Sequence, residues 1–551
     1  MEVRRDYVEL ARSVMASMDE MRPEWEWLSK RILPRQHEVL NWLKRPAYKR
    51  KAEHCAVAAQ CANILASSYN LHITPSGQKW FEYATPDPEA RTKYEVWYGH
   101  ATEVALNEFS RGGFYAAKHE TALDAAVFGT GCLFNDGWRD GRLHFRQVPV
   151  GSFGIAENAD RVVDTLCREF HYTAVQAVER FGRDALPEEV LKAYERPEER
   201  VTREFVFWHL VTPRREYVAP NGDGRVDALR MPFASVYLYG TGRHELIEEG
   251  GYMEFPFMVH RFLLWGESVW GYPPAHKCLE DLERYIQLDR AQDMLADLAV
   301  FPRVLMAAAH VGEVDFRAGG KTVVNPGEEG PNLPREWLSG GDLNTAKDRM
   351  AAIEDRLRGA FLVNSLQVFG GIDRRMTAAE VYARKEEKIV ECSPAYSLYC
   401  ELLDRFIGGR VFNVLFRAGK FNTEKGTPPG LKVKAADGES FDIAAPKISF
   451  HGRINIAIDQ SEKQSLDYGL ESLGQVVQMM GGDASVFDCV DMDKLAHYTL
   501  GSCGAPSEIF REEADVEALR ARREQERQAA LAVQMASAAN QGSQAERNLR
   551  Q

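Results

Sequence analysis

An α+β fold follows from three features of the sequence. Apolar residues recur at three- and four-residue spacing through 3–33, 51–72 and 94–130. From Gly129 to about Arg261, aromatic and β-branched residues instead alternate with polar ones, punctuated by Gly, Asn and Asp. Helical periodicity then returns at 274–298, at 345–362 and after Thr377. Helices and strands thus come in blocks, the α+β pattern.

The elements can be taken in order. Val8, Ala11, Val14, Met15 and Met18 set the opening helix, which Trp25, Leu28 and Ile32 continue after Pro23 and Pro34 ends. An Ala- and Cys-rich helix covers 51–72 and a third covers 94–130. Strands follow at Gly131–Phe134, Leu143–Val148 and Arg203–Trp208, with one helix near 173–195. Leu288, Ala291, Leu295 and Leu298 line one face of helix 274–298, while Glu280, Asp281, Glu283 and Arg284 occupy others. Residues 299–344 hold two short strand-like runs among glycines, Pro326, Pro331 and Pro334. Helix 345–362 breaks at Gly370-Gly371. Thr377 and Glu380 then form a capping box opening a long helix to about Ala418, which Pro394 should kink. Strands are expected at 431–458, helices at 460–480 and 491–499, and a charged tail helix after Ser507 that loses order near Ala536.

At 551 residues the chain suggests about three domains. Hydrophobic residues at 45% and charged residues at 27% exclude a disordered chain. A net charge of −13 argues against tight wrapping of DNA, which needs clustered Lys and Arg. Nine cysteines without a CxxC pair read as reduced, buried thiols in a cytosolic setting. The opening residues lack a signal-peptide core, and no apolar run approaches the ~18 residues of a membrane span.

The search for chemistry finds little. Gly319-Gly320-Lys321-Thr322 resembles the end of a phosphate-cradling loop but lacks its first glycine, and reads as a turn before a strand. Asp488, Asp491 and Asp493 lack calcium-loop spacing and read as a solvated helix start. His54 and His72 are expected to pack or face solvent. No nucleophile–base pair, metal site or cofactor site emerges, so no enzyme is expected.

Several segments together resemble the head-to-tail connector (portal) family of T7-like short-tailed bacteriophages. They are Ala11-Arg12-Ser13 through Pro34, Ala125 to Leu133, Gly266-Glu267-Ser268-Val269-Trp270-Gly271-Tyr272 with Leu279 to Leu282, Phe361 to Ser365, Arg375 to Val381, and Asp493 through Glu513. Their shared order spans nearly the whole chain, with 196–250 and 299–344 matching least.

The resemblance implies a portal fold assembled as a ring of about twelve copies. Residues 1–271 correspond to the wing, 272–298 and 345–362 to the two stem helices, and 299–344 to the small α/β clip. Residues 363–376 correspond to the tunnel loop, 377–458 to a long wing helix with following strands, and 459–551 to the helical crown and tail. The implied partners are further copies of the chain, double-stranded DNA in the channel, a terminase motor, tail adaptor proteins and the major capsid protein, with no membrane. The implied location is the capsid vertex of the virion, after assembly in the host cytoplasm. Gly370 and Gly371 would hinge the tunnel loop. Arg374 and Arg375 suit contact with DNA phosphate; the alternative is pairing with Glu380 or Glu386. The rival readings are another virion structural protein, of tail or scaffold, and a cytosolic enzyme.

Overall fold

The structure is a computed structural model. It describes residues 2–33, 54–84, 91–214, 228–240, 244–300, 304–305, 335–336, 343–367, 394–421, 432–434, 441–443 and 446–451, and parts of 466–499 and 516–532. Helices and sheets mix as the sequence implies.

Glycines and prolines divide the helical stretches more finely than periodicity does. The opening run is two helices, α1 (Glu2–Ala16) and α2 (Arg22–Ile32), parted by a turn in which the Ser17 hydroxyl donates to the Val14 carbonyl at 2.7 Å. Pro23 sits in the first turn of α2, where a missing N–H costs no helical bond. Helix α3 (Ala56–Ser68) runs into a wide π turn, Tyr69–Ile73. Strand β1 is Phe81–Ala84. The expected helix at 94–130 is α4 (Arg91–Arg111) and α5 (Phe114–Phe128), broken at Gly113, whose φ is +76°.

The middle block forms two antiparallel sheets. Its strands are β2 (Thr130–Arg139), β3 (Arg142–Val148), β4 (Phe153–Glu157), β5 (Val163–Thr173), β6 (Glu204–Pro213), β7 (Phe233–Tyr239), β8 (Glu245–Tyr252) and β9 (Phe257–Arg261). The order β3-β2-β9 makes a three-stranded sheet, and β4 to β8 make a five-stranded meander. The single helix expected near 173–195 is instead α6 (Ala174–Phe181) and α7 (Glu188–Glu195). Gly182 stops the first and Pro187 caps the second, so no continuous helix can form. This pair covers a small separate core around Phe205 and Phe207.

A 3₁₀ turn, Pro274–Cys278, leads into α8 (Leu279–Val300). Strands β10 (Val304–Leu305) and β11 (Arg335–Glu336) pair with each other. Helices α9 (Leu343–Ala360) and α10 (Val363–Gln367) meet at Leu362, which has φ +57°. The expected loop at 363–376 therefore begins as a helical turn. Residues 394–403 are helical (α11), with Pro394 first in the described stretch; a π turn at Asp404–Val411 leads to α12 (Phe412–Arg417). Strands β12 (Lys432–Lys434) and β13 (Phe441–Ile443) pair, and β14 (Lys447–Phe450) joins β1. The helical stretch at 518–532 is almost wholly exposed. The large core sits where α2, α3, α5, the three-stranded sheet and α11 meet, around Trp25, Phe128, Phe134 and Tyr399.

Candidate functional site

Helices α8 and α9 form the structure's most distinctive surface. Arg356 makes two hydrogen bonds to Asp281, at 3.0 and 2.8 Å, and the Tyr285 hydroxyl donates to Glu354 at 3.2 Å. One partner's number falls as the other's rises, so the helices run antiparallel. The Arg356 hydrogen bonds hold the Asp281 carboxyl below its ordinary pKa. Burial, with Glu354 adding to it, raises the Tyr285 phenol.

The root of this pair is embedded. Leu282, Tyr285 and Ile286 of α8, and Ile353 and Leu357 of α9, are buried in the main core together with Cys55, Cys61 and Cys278. Burial pushes the Cys278 thiol up to about 12 and the Cys61 thiol up to about 11, so both stay protonated and unreactive. Helix α2 straps the root in place. Arg31 stacks 4.0 Å from the Trp27 ring and donates to Glu283 at 2.9 Å, while His276 pairs with Glu24 at 3.2 Å.

The outer half is less covered: Leu288, Leu295 and Leu298 are half-buried. Beyond Ile286 no described residue of α8 is buried, and Met294 and Val300 are 67% and 68% exposed. At about 100° per residue, Leu288, Ala291, Leu295 and Leu298 share one face and Asp289, Asp293 and Asp297 share the opposite one. Helix α8 carries six acidic and two basic residues. The acidic face repels polyphosphate, and among the described residues the apolar ones are not fully covered.

The residues singled out from sequence do not help to define the site. Gly370, Gly371, Arg374 and Arg375 lie outside the described residues, as do Glu380, Glu386, the Gly319–Thr322 turn, and Asp488, Asp491 and Asp493. His54 is exposed and His72 is buried on the π turn after α3. Among the described residues no group of three His, Cys, Asp or Glu can hold a metal ion, and no helix is long and apolar enough to cross a membrane.

The family described as bacteriophage head to tail connecting protein matches residues 5–510. The chain belongs to that family. A protein of Bordetella phage BPP-1 named "Probable portal protein" is 25% identical over 529 residues, covering 94% of this chain and 90% of its own. A "Portal protein" of Salmonella phage epsilon15 is 25% identical over 500 residues, covering 87% and 83%. The family resemblance carried by the motifs is thus borne out.

Those connecting-protein motifs turn out to be architecture. The Trp270 indole packs edge-on against Trp25 at 4.8 Å and donates to the Ser17 carbonyl at 3.0 Å. Trp25 in turn donates to the Phe128 carbonyl at 3.2 Å, and the Gly271 amide donates to the Thr130 hydroxyl at 2.9 Å. A Cβ on Gly129 would lie 2.1 Å from the Gly271 carbonyl oxygen, and one on Gly271 would lie 2.3 Å from that of Gly129. The segments 125–133 and 266–272 are one knot, joining α1, α2, α5 and β2 at the entry to α8. The features that sequence reasoning passed over are the four-residue spacing of Asp289, Asp293 and Asp297 and the Asp281–Arg356 clasp. The first was readable as a repeat; the second needed the antiparallel pairing.

Proposed function

We propose that this chain is one subunit of a phage portal: a closed ring of about twelve copies at a single capsid vertex. DNA is packaged and ejected through its channel, and the tail is joined to it. Its role is structural, not catalytic. The observation that carries the reading is the family match over residues 5–510, and the α8–α9 pair supports a way in which it works.

The two helices are the stem. In the ring, the apolar side chains left half-covered on outer α8 pack against neighbouring copies, while Asp289, Asp293 and Asp297 face the channel. An acidic wall gives DNA no place to stick, and net −13 per chain multiplies around the ring. Residues 1–271 and 377–458 form the wing, which meets the major capsid protein. Residues 299–344 form the clip, which meets the terminase motor and then the tail adaptors. Residues 363–376 form the tunnel loop, hinged at Gly370 and Gly371, with Arg374 and Arg375 touching phosphate. Residues 459–551 form the crown and tail. The ring assembles in the host cytoplasm and ends in the virion.

Native mass measurement tests the assembly directly. The expected result is a closed ring of about twelve chains. A monomer persisting at micromolar concentration would rule the reading out.

A further inference from the structure

A cavity of about 220 Å³ lies between β9 and the α11–π-turn helix, away from the stem. Phe255, Phe257, Val259, Leu402 and Phe406 form its apolar walls. It is smaller than the roughly 300–1,000 Å³ of sites for drug-sized ligands, so its occupant is about the size of one ring or branched chain.

Charge around this cavity opposes that of the whole protein. Glu254 serves two arginines: Arg417 at 2.6 Å and Arg410 at 3.3 Å. Glu157 likewise serves Arg261 at 2.7 Å and Arg161 at 3.5 Å, while Glu401 pairs with Arg405 at 2.6 Å. Five guanidinium groups therefore share three carboxylates, in a chain whose net charge is −13. Four of those arginines, all but Arg417, line the cavity. Such a local cationic surplus beside apolar walls favours an anion with an apolar body.

The wall also holds unmet hydrogen-bonding capacity. Arg410 is 5% exposed, and its Nε has no hydrogen-bond partner among the described residues. Its hydrogen bonds go to Glu254 and, at 3.4 Å, to the Asn135 carbonyl, and its guanidinium lies 5.0 Å from the Tyr252 ring centroid. A buried donor left unpaired costs about 1–3 kcal/mol, which an acceptor in the cavity would recover. His260, in the same wall, also has an unpartnered ring nitrogen, Nδ1. Burial pushes its pKa down to about 3, so it stays neutral and leaves the arginines to set the sign of the charge.

We infer that this cavity is a binding site for a small organic carboxylate bearing one apolar group, its carboxylate toward Arg410 and Arg405 and its body against Val259, Leu402 and Phe406. No residue of α8 or α9 lines the site, and the inference does not depend on the portal reading.

The test is titration calorimetry of the purified, assembled protein with 3-phenylpropionate and with its neutral amide. The acid is expected to bind with a Kd of about 0.1–1 mM, as suits so small a ligand. The amide should bind at least about tenfold more weakly. Leu402→Trp, which fills the cavity, should abolish binding. Arg405→Gln sits at the exposed mouth, where it leaves the buried core intact, and should weaken the acid severalfold without changing the amide. Equal binding of acid and amide overturns the inference, as does binding untouched by both substitutions or no saturable binding up to about 10 mM. If Leu402→Trp fails to fold, the Arg405→Gln comparison decides the matter alone.

Discussion

The knot around Trp270 and the outer half of α8 lie close together in sequence and obey opposite rules. In the knot each polar group named above has an internal partner, and Gly129 and Gly271 approach too closely for any side chain. On outer α8 acids repeat every fourth residue, Met294 and Val300 stand exposed, and no described residue is buried. The first region is explained by contacts inside one chain. The second has much less of the burial that stabilises a helix: among the described residues Leu288, Leu295 and Leu298 are only half-buried. An apolar pattern only half-covered among the described residues is where a contact with another chain should be sought.

The comparison breaks most visibly at its glycines. Gly271→Ala places a Cβ 2.3 Å from the Gly129 carbonyl oxygen and 2.9 Å from the Arg261 Cα, both backbone atoms that cannot swing aside. A loss of about 3 kcal/mol or more is expected, or failure to fold. Gly359→Ala, in the last turn of α9, meets nothing within 4 Å and removes a helical glycine, so a gain of up to about 0.5 kcal/mol is expected. Thermal midpoints of the two variants measure the contrast. A tolerated Gly271→Ala would show that the knot is looser than its distances imply.

Acid and base probe the packed body more gently. Burial raises the Asp124 carboxyl from 3.8 to about 7, so the fold favours its protonated form. That contribution is present below the unfolded value near 4 and is lost as pH rises through about 7. Asp124→Asn keeps an acceptor for Gln147, which donates to Asp124 at 2.5 Å. The variant should be more stable than its parent at pH 8, by about 1–3 kcal/mol, and match it near pH 4. His260 has the opposite sense. Its pKa falls from 6.5 to about 3, so the stability of the neutral ring is full above about 6.5 and is lost progressively as pH drops toward 3. Unfolding midpoints across pH for parent and variant check both signs.

The sequence made the helical and strand blocks legible because periodicity depends on one face being covered, fully along 131–148 and only by half along 288–298. It did not make the helix breaks legible. Gly112-Gly113 and Gly182 to Pro187 sit inside runs whose apolar spacing continues across them, and periodicity cannot register a turn of three or four residues. The family was legible through Trp270, Gly271 and Gly129, which mark it because they are geometrically irreplaceable, not because they react. The carboxylate cavity was invisible. Val259 is far in sequence from Leu402 and Arg410, and nothing local distinguishes Arg410 from the other arginines. Asp281 and Arg356 were equally unmarked, since their pairing exists only once the two helices fold back on each other.

The smallest expected effect on stability is also the one most telling for function. Asp289, Asp293 and Asp297 are exposed, so replacing all three with Asn removes three charges and almost no packing. Stability should stay within about ±0.5 kcal/mol of the parent, because exposed charges away from structural contacts contribute little. Ring assembly should also be unchanged if the apolar face of α8, and not the acidic one, meets the neighbours. What should change is the behaviour of DNA. In the proposed ring these three charges per subunit would add to the repulsion along the channel wall, and their loss should let DNA linger. The expected signature is tighter retention of duplex DNA by the variant ring at low ionic strength, converging on the parent as salt screens the field at a Debye length near 10 Å in about 0.1 M salt. Fluorescence anisotropy with a short labelled duplex, read across a salt series, measures it. Should parent and triple variant hold DNA alike at every ionic strength, the acidic face does not line the channel, and the stem has to be turned so that another face of α8 meets the DNA.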